Sequence, residues 1–129
     1  MPTFLGPFTL DDYPEDNLLK KVNLAEAEID FSSPAGSFNL GDILQTNSTV
    51  VQVLVRVTQA FDGLPSISVG DTVSQDSWLN EDGIDLSEVG VFLSMVLEKL
   101  LTVTQGRVYW DPGGSTVGSL KVFLLVTDP

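Results

Sequence analysis

The sequence has no cysteine and no histidine, and only 6 lysines and arginines against 18 aspartates and glutamates. Without a thiol there is no disulfide, no cysteine nucleophile and no thiolate metal site. Without an imidazole, the usual general base near neutral pH and the commonest zinc ligand are both missing. The formal charge of −12 opposes broad contact with nucleic acid or an anionic membrane. No apolar run approaches the roughly 18 residues that a transmembrane helix needs. The opening Met1-Pro2-Thr3-Phe4-Leu5-Gly6-Pro7 lacks a basic region and a long apolar core, so no signal peptide is expected. There is no Gly-x-Ser-x-Gly, no Gly-rich phosphate loop ending in Gly-Lys-Ser/Thr, and no dinucleotide-binding fingerprint. The expectation is a non-enzyme with no cofactor and no small-molecule substrate.

What is present is a folding pattern. The 129 residues are 43% hydrophobic, which suits one folded domain despite the acidity. The apolar residues recur mostly with period two, the repeat of a strand with one covered face. In Thr49–Thr58, Val51, Val53, Val55 and Val57 share a face, with Gln52, Arg56 and Thr58 on the other. In Val91–Leu101, read as a strand, Val91, Leu93, Met95 and Leu97 oppose Phe92, Ser94, Val96 and Glu98. Apolar residues on both sides of these two strands predict two covers, the core and a subunit partner.

Further strands are predicted at Lys21–Phe31 (Ala25, Ala27, Ile29 and Phe31 on one face), Phe38–Leu44 with a bulge at Gly41-Asp42, Ser66–Val69, Gly106–Trp110 and Ser119–Thr127. The helix-favouring Ala25-Glu26-Ala27-Glu28 leaves the first of these ambiguous. Asp111-Pro112-Gly113-Gly114 reads as a hairpin loop, and Gln75–Leu79 as a single helical turn. Short strands with Gly/Pro turns indicate an all-β antiparallel sandwich of jelly-roll type over residues 21–129. Residues 1–20, with three prolines and four acids, read as an extended N-terminal arm.

Four constellations carry candidate chemistry. The acidic stretch Asp71–Glu88 offers oxygen ligands, but aligning Gly83 with the obligatory glycine of an EF-hand puts Trp78 and Val89 at the first and last ligand positions. A calcium site of another geometry stays open beside the plainer reading of solvated turns. Paired carboxylates able to cleave a glycosidic bond cannot be chosen among 18 acids. Tyr109-Trp110, at a strand end, is a candidate sugar-stacking platform, and the plainer, favoured reading is a Trp capping the sandwich end with its N–H satisfied at the rim. The sequon Asn47-Ser48-Thr49 reads as a turn entering a strand. In the arm, Phe4, Phe8, Leu10 and Tyr13 are the candidate partner-binding residues.

Ala60-Phe61-Asp62-Gly63-Leu64-Pro65-Ser66-Ile67-Ser68-Val69-Gly70 resembles a stretch of small virion proteins of tailed bacteriophages. The likeness continues through Ile84-Asp85-Leu86, Gly90 and the apolar strand after it, and a closing strand such as Gly118-Ser119-Leu120-Lys121-Val122. It covers roughly residues 49–127 and carries turn and strand signatures, not catalytic ones. It implies a capsid decoration (cement) protein, made in the host cytoplasm and placed on the capsid exterior, or another small head, neck or tail component. Its partners would be the major capsid protein and itself, as dimer or trimer. The alternative is a carbohydrate-binding sandwich of a tail or receptor-binding protein, built on Tyr109 and Trp110.

Overall fold

The computed structural model describes residues 21–129. Seven strands run in chain order: β1 (Val22–Asp30), β2 (Gly36–Leu44), β3 (Thr49–Gln59), β4 (Ser66–Gly70), β5 (Gly90–Lys99), β6 (Thr104–Asp111) and β7 (Ser119–Thr127). The odd strands form one sheet in the order β1-β7-β3-β5, and the even strands a second in the order β2-β6-β4. Every pairing is antiparallel. Each connection therefore crosses from one sheet to the other, which is the winding of a jelly roll. The predicted hairpin at Asp111–Gly114 is corrected by this winding. β6 and β7 lie in different sheets, so the loop spans the sandwich.

A fourth position in the smaller sheet is held by the single bridge Val69↔Leu79. Trp78 and Leu79 are buried there and cover the inner side of β5. The Trp78 indole N–H donates to the Glu98 carboxylate (2.9 Å), and the Ser94 hydroxyl donates to the Trp78 carbonyl (2.7 Å). The helical turn expected at Gln75–Leu79 is instead a 3-10 turn at Glu81–Gly83, capped by the Asn80 side chain accepting from the Asp82 N–H. Pairing with Val69 draws Leu79 into extended backbone and pushes the turn downstream.

The core lies between the sheets. Ile29, Val53, Val55, Val57, Leu120, Val122, Leu124 and Val126 face Leu40, Ile67, Val69, Val108 and Trp110, and Phe61 and Leu86 close one end. β-branched residues on a pleated, covered face explain the dominance of valine. The four-valine stripe predicted for β3 breaks at its start, where Val50 is fully buried and Val51 is not. Register shifts between Val50 and Gln52 against both β5 and β7 account for this, because one extra residue exchanges the faces. The predicted bulge in β2 is present between Asn39 and Ile43, with Gly41 at a φ of 75°. Phe31 lies beyond β1 in an exposed turn and does not extend the Ala25-Ala27-Ile29 face.

Candidate interaction surface

The alternation that buries one side of the four-stranded sheet fixes what the other side presents. The register aligns three rows across it: Leu24, Leu125, Gln52, Met95; then Glu26, Phe123, Leu54, Leu93; then Glu28, Lys121, Arg56, Val91. β5 and β1 bound this face, and they differ. On β1, the outward acids Glu26 and Glu28 guard the edge. On β5, Val91, Leu93, Met95 and Leu97 stand 55–66% exposed, with no charge between Gly90 and Leu97. A shallow depression of about 530 Å³ runs down the middle, floored by Leu54, Phe123 and Leu125 and walled by Leu24, Val91 and Arg56.

The charges of the second and third rows balance, two acids against two bases. Lys121 pairs with Glu26 at 3.7 Å, and Arg56 and Glu28 flank it. Half-exposed pairs of this kind contribute no more than about 1 kcal/mol to stability. Their larger effect is to keep this face near neutral on a chain whose net charge is −12. A contiguous apolar face with a polar border is the signature of a protein-contact surface.

The acids elsewhere are occupied in shaping loops. Asp62 accepts from the Thr116 hydroxyl and the N–H groups of Thr116 (2.6 Å) and Val117 (3.2 Å), clamping the β6–β7 loop. These bonds, the Thr116 hydroxyl foremost, hold its carboxyl below the ordinary value of 3.8. Asp30 is lowered mainly by the Ser32 hydroxyl and Asp85 mainly by the Ser87 hydroxyl. In the candidate calcium stretch, Asp71 accepts the N–H groups of Val73 and Ser74, and Asp76 accepts from the Asn80 amide. Among the described residues, no three acidic side chains gather into a cluster that could hold a metal ion.

Tyr109 and Trp110 are neighbours on a strand and so point to opposite sides of it. Trp110 is 3% exposed, its indole N–H donates to the Ser33 carbonyl (3.2 Å), and its ring packs on Phe61 with centroids 5.4 Å apart. Tyr109 points outward, and its hydroxyl donates to the Asp71 carbonyl. The two rings are not brought together into one stacking platform. Phe4, Phe8, Leu10 and Tyr13 lie outside the described residues. The alternation on β5 is legible in the sequence, whereas the burial of Trp78 is not, because it depends on a bridge formed by a loop.

No protein-family profile and no curated protein matches the chain. Two solved structures share its fold. A chain in the acidic stable capsid structure of Helicobacter pylori bacteriophage KHP30 superposes with a TM-score of 0.68 at 19% identity, over 86% of this chain and 94% of that one. A chain in the capsid asymmetric unit of cyanophage Pam1 superposes with a TM-score of 0.65 at 15% identity, over 91% of each. At such identities the likeness defines a shared jelly-roll frame over nearly the whole of each chain.

Proposed function

We propose that this chain is a structural protein of a phage virion, a decoration or cement protein that binds the outside of the head shell by protein contact alone. The observation that carries the reading is the uncharged apolar row along β5 on an otherwise strongly acidic chain. A face of this kind gains by being covered, at about 25 cal/mol per Å² of apolar surface removed from water. Two further observations support it. The frame is shared with chains in two phage capsid structures, and the turn and strand signatures of residues 49–127 resemble those of phage virion proteins.

In this reading the partners are the major capsid protein and further copies of the chain. The N-terminal arm, with Phe4, Phe8, Leu10 and Tyr13, supplies the contact to the shell. Extended, proline-bearing segments dock along a partner without propagating sheet aggregation. The acidic remainder of the surface keeps decorated particles apart. The carbohydrate-binding alternative has less support, because the Trp110 face is spent on Phe61 and the core.

Electron microscopy of native particles is the test. The expected result is regular copies of a density matching residues 21–129 on the outer shell. Density inside the shell or in the tail would refute the decoration role, and absence from purified particles would refute any virion role.

A further inference from the structure

We infer that two copies of this chain associate through β5, pairing antiparallel edge to edge about a twofold axis at Leu93, so that two four-stranded sheets become one of eight strands. The inference deepens the self-association within the proposed function and rests on that part of it. It does not depend on where the protein sits in a particle.

The edges of the larger sheet are β1 and β5, and each pairs on one side only among the described residues. A free edge offers a row of unpaired N–H and C=O groups, and proteins block such rows with charges, prolines or bulges. β1 is blocked by the outward Glu26 and Glu28. β5 has no charge and no proline from Gly90 to Leu97, and its single block is the irregularity at its far end. There the register against β3 shifts, and Leu97 adopts a φ of 51°. The regular, open edge is therefore Gly90–Val96, and its midpoint is Leu93.

The occupant follows from charge and geometry. A strand of a second copy carries the same uncharged stretch, so pairing brings no acid against an acid within Gly90–Val96. Like charges directly opposite would destabilise the pair. A twofold axis perpendicular to the sheet keeps each outer face outward, so outward residues must pair with outward residues. Centring on Leu93 sets Leu93 opposite Leu93, and Val91 opposite Met95, across the axis. The exposed side chains of one copy then cover those of the other, and the apolar depression continues across the join.

The experiment uses the purified full chain and takes advantage of its lack of cysteine. Sedimentation of the wild type gives a concentration-dependent dimer. Leu93→Lys places two ammonium groups at the axis and shifts the protein to monomer, while its melting temperature at low protein concentration, where the wild type is itself monomeric, stays close to wild type because residue 93 is 55% exposed in the single copy. Leu93→Cys forms an intermolecular disulfide on mild oxidation, since directly opposed strand residues lie within disulfide reach. Leu24→Cys, on the opposite edge, does not. A wild type that is monomeric at all concentrations overturns the inference. So does a trimeric mass, a dimer that survives Leu93→Lys, or a disulfide that forms at residue 24 in place of 93. Any of these leaves the particle-imaging test of the virion role untouched.

Discussion

Gly118 stands where the β6–β7 loop enters β7, and replacing it with alanine tests how the two sheets are locked at that end. Its φ is 131°, in the region that glycine occupies freely and other residues rarely do. A Cβ there would clash with the Phe61 ring, with even the Cδ1 atom only 2.8 Å away. Phe61 cannot swing aside cheaply, because it is 4% exposed and packed, tilted by 59°, against the Trp110 ring. Backbone strain of this kind costs about 1–3 kcal/mol, and overpacking a core adds roughly 1–3 kcal/mol. Restricting the unfolded chain returns about 0.4–1 kcal/mol. The net loss is then about 2–5 kcal/mol, a large share of the roughly 5–15 kcal/mol that holds an ordinary domain. Urea unfolding of Gly118→Ala should show this as a lower midpoint with an unchanged slope. Gly90→Ala is the matched control: a Cβ there meets nothing within 4 Å, and the stability should hold or rise slightly. In the background of Phe61→Leu, Gly118→Ala should cost less than alone, because the steric part is relieved and the φ part is not. Equal midpoints for wild type and Gly118→Ala would refute the packing argument, and equal costs in the two backgrounds would refute the role of Phe61.

Two further outcomes follow from the same geometry. Asp62, Asp30 and Asp85 all have folded-state carboxyls held below 3.8 by hydroxyl and N–H donors, so their contribution is present above that pH and fades as pH falls through the lowered folded value. The stability difference between wild type and Asp62→Asn should therefore be constant from neutral pH down to about 4 and shrink below it; a difference that grows on acidification would contradict the clamp. Leu97, at φ 51°, should accept glycine with little change, whereas Leu97→Val should cost about 1–3 kcal/mol because β-branching conflicts with the left-handed region. Calorimetry showing valine tolerated as well as glycine would remove the bulge at this position.

Period two in the sequence placed most strands within one or two residues, because a half-covered strand writes its own alternation. β7, predicted at Ser119–Thr127, is observed over the same span. The failures are where a second chain segment decides. Val50 and Val51 are chemically alike, and only the bulge against β5 and β7 selects which one is buried. Asp111-Pro112-Gly113-Gly114 announces a turn, but turn chemistry does not say which sheet the chain enters next. Tyr109-Trp110 read as a pair because adjacent aromatics invite a platform, yet the strand separates them to opposite faces, and Phe61, from the segment between β3 and β4, claims the indole. The exposure of β5 was half legible. Its two apolar faces were in the sequence, but the sequence could not tell which one the core would take.

That choice settles where an acidic chain can meet its own kind. The formal charge of −12 opposes every contact between copies, yet at physiological ionic strength charges more than about 8 Å apart are largely screened. What decides association is therefore the local composition of the surfaces that touch. Most of the described acids lie in loops or on β1, where Asp30, Asp62, Asp71 and Asp85 hold backbone N–H groups and Glu26 engages Lys121, and the one acid of β5, Glu98, lies beyond the regular edge and accepts from the Trp78 indole. The same distribution that shapes the loops leaves Gly90–Val96 free of charge. Acidity and self-association are compatible in this fold because the acids lie outside the Gly90–Val96 edge.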